Sequence, residues 1–284
     1  RVDFTANGWN QVNTDPSGNI TCTASTAMGR SYFVDAGNIV LTESSPVNTW
    51  GNAVVDLGQN TLTVDVEVYY TGSQSVSSNK IHVAVLQNNV EGPQTGMSAN
   101  PASVLPNGNY NHQHMLRHLL TGQWGETISS ISQGTSYTNQ YVWTIPTDIN
   151  GVVVDPTNLE VAIFISEGNE GVLTGEMAGL TVNFPNTDDA KFSNSSASNL
   201  TCSSGATNLT VDFQNYGSTT LTSLDVEYSI NGGTLNTYPW TGSVASAGNG
   251  TVTIPNVSVN ANATNTVNFI LANPNGVPDQ NTAN

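Results

Sequence analysis

Three of the chain's four histidines fall in one short run, His112, His114 and His118, with the spacing H-x-H-x3-H. Neutral imidazoles are common ligands of zinc and iron. Alternate residues of an extended strand share a face, so such a run on one strand would present all three imidazoles together. Jelly-roll metal sites use H-x-H followed by a third ligand. His118 would fill that third place, and Glu126 is the nearest acid downstream. A centre of this kind with one open position would be a metal-dependent enzyme. No histidine follows His118 to supply a ligand from a later strand. The reading adopted is that these imidazoles are structural, half-buried and hydrogen-bonded, with no catalytic and no metal-binding residue assigned.

Other chemistry is thinner. Acidic and amide oxygens gather in TDPSGN (14–19), VDPTN (154–158), EGNEG (167–171) and NTDD (186–189). Hard cations want six to eight oxygens, so one structural calcium ion is a candidate cofactor. None of these loops has the spacing of an EF-hand, and turn chemistry accounts for each. Glu167 with Glu170, or Glu43, would be the carboxylates of a glycosidase, but sequence does not give the separation that this chemistry requires. The G-x-S-x-G elbow of serine hydrolases is absent. The expectation is therefore a protein that is not an enzyme. Trp9, Trp50, Trp124, Trp143 and Trp240 raise carbohydrate binding, since exposed rings stack on sugar faces. Trp143, in an apolar strand, and Trp240, in the immunoglobulin-like motif, read as core, while Trp124, beside Gly and Gln in TGQWGE, is the ligand-binding candidate. Cys22 and Cys202 are 180 positions apart, too far for a CxxC redox pair or a zinc knuckle. They form either one disulfide, in an oxidising compartment, or two isolated thiols.

Composition excludes several partners. The 284 residues carry five Lys plus Arg against 21 Asp plus Glu, a formal charge of -16. Nucleic-acid binding draws on cations that displace phosphate counterions, and this surface repels a phosphate backbone. Anionic lipid is repelled likewise. No stretch reaches the eighteen or so consecutive apolar residues of a membrane span. Asn takes the place of charge, at 37 residues, while 37% hydrophobic content is enough for a core. The opening RVDFTANGWN lacks a signal-peptide pattern, which predicts a mature form or a fragment.

The elements that would position these residues are strands. TLTVDVEVYY (61–70) sets Leu62, Val64, Val66, Val68 and Tyr70 against Thr61, Thr63, Asp65 and Glu67, the period of two of a half-buried strand. Further strands are read at 81–87, 141–145, 159–166 and 180–184, separated by Gly, Asn, Pro and Ser clusters. MLRHLLTG (115–122) has some helical character and reads equally well as strand. The Ser/Asn-rich stretch 186–199 reads as a linker or domain entry. Strands follow at 209–213, 221–230, 251–255 and 266–272, with an NGG turn at 231–233 and Trp240 as core anchor. The predicted fold class is mostly β: an antiparallel, jelly-roll-like β-sandwich at 51–186, then a small immunoglobulin-like sandwich at 187–284. Residues 1–50 are read as an irregular N-terminal segment.

The segment from Leu86 to Ile128 carries a Gln-rich turn, a Tyr-x-His-x-His-x-x-Arg run and Thr-Gly-x-Trp-Gly, through Gln87, Gly92, Gln94, Tyr110, His112, His114, Arg117, Gly122, Trp124 and Gly125. It resembles a family of Bacteroidetes surface proteins typified by the twenty-eight-kilodalton outer-membrane protein of Porphyromonas. The last domain, with NYGSTTLTSLDVEYSINGG and YPWTGS, resembles the immunoglobulin-like module of proteins exported by the type IX route. The resemblance implies an exported cell-surface protein acting in adhesion or as a subunit of a surface assembly, with protein partners or self-assembly. It also implies a thioredoxin-like domain ahead of this region, of which residues 1–35, with AMGRSYF, would be a remnant. This chain lacks the CxxC, so redox activity is not implied. A type IX sorting domain is absent after Asn284, which predicts processing or truncation. The alternatives are a carbohydrate-binding module, with glycan as partner, or a metal-dependent jelly-roll enzyme using the His112, His114 and His118 strand.

Overall fold

The computed structural model describes residues 44–168, 171–198, 205–261 and 263–281, together with 13–14, 20–21, 34, 37–38 and 41–42. Cys22, Cys202, Glu43, Glu170, Trp9 and nearly all of the segment read as a thioredoxin-like remnant lie outside the described residues. The chain divides into two compact units, Arg1–Val55 with Asn60–Thr181, and Asp56–Gln59 with Val182–Asn284.

The first unit follows from alternation. Strands β1 (Val47–Asp56) and β2 (Thr61–Tyr70) bury every second residue. β3 (Asn79–Gln87) is followed by β4 (Met115–Leu119), β5 (Ser136–Thr144), β6 (Leu159–Glu167), β7 (Gly171–Met177) and β8 (Gly179–Asn183). They form two antiparallel sheets, one ordered β5-β2-β1-β8 and the other β7-β6-β3-β4, with Glu126–Ile128 also pairing with β3. The inward rows are apolar: Leu62, Val64, Val66 and Val68 on the first sheet, and Ile81, Val83, Val85, Val161, Ile163 and Ile165 on the second. Two sheets whose apolar faces meet exclude water from both, which is the stabilising arrangement of a sandwich. Gly51 shows how closely they approach, because a Cβ there would collide with Cδ1 of Ile163 in β6.

Strand β1 opens at Val47, inside the segment expected to be irregular. Its inward row is Val47, Thr49, Gly51, Ala53 and Val55. Small and polar members hide the alternation from a hydrophobicity reading, and the close approach of Ile163 is what requires glycine at 51. The ambiguous run at 115–122 is strand up to Leu119.

The second unit pairs a sheet ordered β9 (Ala190–Ala197), β10 (Ala206–Asn215), β13 (Asn249–Ser258) with one ordered β12 (Asn236–Val244), β11 (Leu221–Ile230), β14 (Val267–Ala272). Phe213, Leu209, Val211, Leu224, Val226, Val252 and Ile254 fill the space between them. Trp240 packs edge-on against Phe213, with centroids 5.0 Å apart, so it is a core anchor. Asn231 and Gly232 both adopt positive φ at the expected turn after β11, the requirement of a tight type I′ connection. The stretch read as a linker or domain entry is largely β9, which lies in the second unit. It pairs on one side only, so its residues after Lys191 stay exposed, and an edge strand tolerates Ser and Asn there.

Candidate functional site

The histidine run is not one strand. His112 ends Tyr110–His112, a short strand paired with Val90–Gly92 outside the sandwich. His114 has φ 54°, a left-handed conformation that breaks the extended chain, and its backbone N–H donates to Asn88 Oδ1 at 2.8 Å. His118 lies in β4, beyond the break. The one-face arrangement on which the metal alternative depends is therefore not formed: the αL residue at 114 turns the chain between the first and third histidines.

Each imidazole has its own partner. The His112 ring tilts against Tyr110 at 5.1 Å. His114 Nδ1 meets Glu160 Oε2 at 2.7 Å. His118 stacks on Trp143 of β5, with centroids 5.1 Å apart and planes 7° from parallel. His118 pairs in register with the buried Val85, and Trp143 with the buried Leu62, so the stack bridges the facing edges of the two sheets. Among the described residues no group of three or more His, Cys, Asp or Glu is arranged to hold a metal ion.

The fourth histidine, His82, is buried on the outward side of β3. Its ring stacks 4.5 Å from Phe164, its register partner on β6, and Nε2 lies 2.9 Å from Ser166 Oγ. Ser166 Oγ donates to the Gly168 carbonyl, which leaves the Nε2–H of His82 as the donor to Oγ. Burial, and secondarily the charge of Lys80, lowers its pKa from the ordinary 6.5. Gly125 closes over this ring, since a Cβ there would come 2.7 Å from His82 Cε1. The Thr-Gly-x-Trp-Gly motif is thus a cover for His82, with Gly122 and Gly125 both at φ 69°. The cover holds Trp124 outward, 60% exposed.

Arg117 is 8% exposed and spans a bulge in β4. Its Nη2 donates to the Val152 carbonyl at 2.7 Å, and Gln87 Nε2 donates to the Val153 carbonyl at 3.4 Å. Together they clamp the Asp148–Ile149/Val152–Val153 hairpin to the unit. Burial lowers the Arg117 pKa while Asp148 opposes that shift. Arg117 Nε and Gln87 Oε1 are buried without a partner, one donor and one acceptor at the same end of the sandwich. The Gln and Arg of the distinctive motif are therefore fasteners.

Two of the acidic loops, 154–158 and 186–189, spend their carboxylates on local hydrogen bonds. Asp155 accepts from Thr157 N, Thr157 Oγ1 and Asn158 Nδ2. Asp188 accepts from Asn275 Nδ2 and Thr219 Oγ1, bonds that hold its carboxyl below the usual range. Glu91 is held low in the same way by Asn109 and Asn107. Tyr141 donates to Glu126 Oε2 at 2.9 Å, and its burial pushes the phenol well above its ordinary value.

Sequence reasoning named Trp50 among the tryptophans but passed over the set of residues around it, on the outward face of β1, β2 and β5. Trp50 is 54% and Tyr69 44% exposed there, among Asn48, Asp65, Glu67, Thr138 and Gln140. The alternation in TLTVDVEVYY already turns Tyr69 outward with Asp65 and Glu67. The weak alternation of β1 concealed that Trp50 points outward.

Two antiparallel sheets packed face to face, with motif residues that fasten loops and outward faces of amides, hydroxyls and single rings, define a β-sandwich protein. The sequence profile of the outer membrane protein Omp28 family matches residues 6–181, and the chain belongs to that family. It is an exported bacterial protein of the outer-membrane surface. No curated protein sequence matches the chain. Among solved structures, a domain of the outer membrane lipoprotein Omp28 from Porphyromonas gingivalis is similar at 13% identity, covering 50% of this chain and 93% of its own, with a TM-score of 0.32. HBP35 of Porphyromonas gingivalis is similar at 13% identity over 88% of this chain and 70% of its own, with a TM-score of 0.41. A red sea bream transglutaminase, at 12% identity and a TM-score of 0.28, covers 86% of this chain, which spans 32% of that one. Among the described residues no helix is long and apolar enough to cross a membrane.

Proposed function

We propose that this Omp28-family chain is a non-catalytic surface protein acting in adhesion or as a structural or accessory subunit of a surface assembly. The observation that supports it most is how its reactive side chains are used. His82 is bound to Ser166, His114 to Glu160 and His118 to Trp143, each at a separate place. These side chains serve packing and loop attachment, while the outward faces carry amides and hydroxyls suited to recognition. In this reading residues 51–186 form the family-defining sandwich, and 187–284 an immunoglobulin-like spacer or docking module of the kind carried by type IX substrates. Protein partners or self-assembly would engage the exposed faces.

The test is cross-linking on intact cells that display the full chain, paired with an attachment assay on a deletion strain. A discrete cross-linked species and weakened attachment are expected. A chain that stays uncross-linked, in a strain whose attachment is unchanged, would refute the proposal.

A carbohydrate-binding role is the second reading, favoured by the outward exposure of Trp50 and Trp124.

A further inference from the structure

The outward face of β1, β2 and β5 can be laid out residue by residue. The β5 register is continuous, pairing Ser136 with Tyr69, Thr138 with Glu67 and Gln140 with Asp65. On the other side, the Thr71 N–H donates to the Pro46 carbonyl at 2.9 Å, and Thr49 Oγ1 to the Glu67 carbonyl at 3.4 Å. Counting inward from Pro46 opposite Thr71 sets Asn48 beside Tyr69, Trp50 beside Glu67 and Asn52 beside Asp65. The face is thus a grid of three rows: Asn48–Tyr69–Ser136, Trp50–Glu67–Thr138 and Asn52–Asp65–Gln140. Trp50 and Tyr69 are diagonal neighbours, about 7–8 Å apart between Cα atoms on a pleated face.

Three properties of this grid select a ligand class. Two large rings stand more than two-fifths exposed on adjacent strands of a regular sheet, so they are held by the backbone ladder rather than by a loop. Groups that bond hydroxyls surround them: the Asp65 and Glu67 carboxylates, the Asn48, Asn52 and Gln140 amides, and the Ser136 and Thr138 hydroxyls. Gln140 Nε2 donates to Asp65 Oδ1 at 2.8 Å, which orients both groups. Third, no Lys, Arg or His occurs in any of the three strands.

A polyanion is repelled by such a face. An apolar protein surface would strand the surrounding amides and carboxylates without partners. A neutral sugar satisfies both kinds of group. Its C–H faces carry partial positive charge and stack on the negative faces of the rings, while its hydroxyls donate to the carboxylates and accept from the amides.

We propose that Trp50 and Tyr69, with Glu67, Asp65 and Gln140, form a binding platform for a neutral polysaccharide. The platform deepens the surface-interaction reading and rests on it only for outward display.

The test is native affinity electrophoresis of the full chain through gels containing hydroxyethylcellulose, arabinoxylan, β-mannan or yeast α-mannan. Retardation is expected in at least one gel. It should weaken about tenfold in Trp50→Ala and in Tyr69→Ala, and be partly restored in Trp50→Phe. Both rings are exposed, so unchanged thermal unfolding of the variants excludes misfolding as the cause. Absence of retardation in all four gels overturns the platform, and so does wild-type retardation in Trp50→Ala and Tyr69→Ala. Cell-surface cross-linking is scored separately in the same variants, so loss of the platform and loss of the surface role are told apart.

Discussion

His118 lies flat against Trp143, with ring centroids 5.1 Å apart, and this contact joins the edge strand of one sheet to the edge strand of the sheet facing it. An imidazole that sequence spacing offers as a metal ligand thereby closes the side of a β-sandwich.

The stack should be measurable as stability. Trp143→Ala is expected to destabilise the first unit by about 2 kcal/mol, since a half-buried ring and its packing are removed. His118→Ala should cost about 1 kcal/mol, the size of an aromatic pair contact. Urea denaturation followed by tryptophan fluorescence gives both values. A His118→Ala variant as stable as the parent would show that the stack contributes nothing.

Metal content separates this use of the histidines from a catalytic one. The purified chain is expected to carry zinc and iron well below one equivalent, at a level unaltered by His112→Ala combined with His114→Ala. Mass spectrometry of the dialysed protein reads this directly. A near-stoichiometric metal that the double variant loses would make the run a ligand set.

Stability should depend on pH through His82. Its folded pKa lies below the ordinary 6.5 because burial disfavours the charged ring. The unfolded chain therefore takes up a proton near pH 6.5 that the folded chain refuses, and stability falls as pH drops below that value. The loss levels off beneath the lowered folded pKa. The carboxylates of Glu91 and Asp188 have their pKa values lowered from 4.5 and 3.8, so their own loss comes at more acid pH. Urea midpoints should decline between about pH 7 and pH 5 in the parent and lose that decline in His82→Phe, which preserves the stack on Phe164. An unaltered slope in the variant would assign the effect elsewhere.

Arg117 should hold the 148–153 hairpin. Arg117→Ala is expected to cost about 2–3 kcal/mol through loss of the charge-assisted bond to the Val152 carbonyl. Arg117→Lys should recover only part of this, because a point charge cannot reproduce the guanidinium fork. Hydrogen exchange read at Val153 and Val154 should accelerate in both variants. Equal protection in parent and variants would mean that the hairpin is held by other contacts.

Much of the fold was legible because alternation is a local property. Val64, Val66 and Val68 must share a face wherever the strand lies, and so must Asp65, Glu67 and Tyr69. The same logic exposed the strands at 81–87 and 159–166 and the Asn-Gly turn after Ile230. It missed β1, whose inward Thr49, Gly51 and Ala53 are explained only by what faces them across the core, and β9, whose Ser and Asn residues are tolerated at a sheet edge.

What the sequence by itself determined is the class: an acidic, strand-rich chain with family motifs around Gln87, Tyr110, Arg117 and Trp124, and a charge that repels nucleic acid. What only the tertiary structure decided is where those side chains point and whom they meet. One left-handed residue at His114 separates histidines that spacing alone places together. The register of β1, β2 and β5 brings Trp50 and Tyr69, 19 positions apart in sequence, onto one exposed face. Spacing along a strand fixes side-chain direction only while the backbone stays extended, and neighbours across strands are set by hydrogen-bond register, which no single segment encodes.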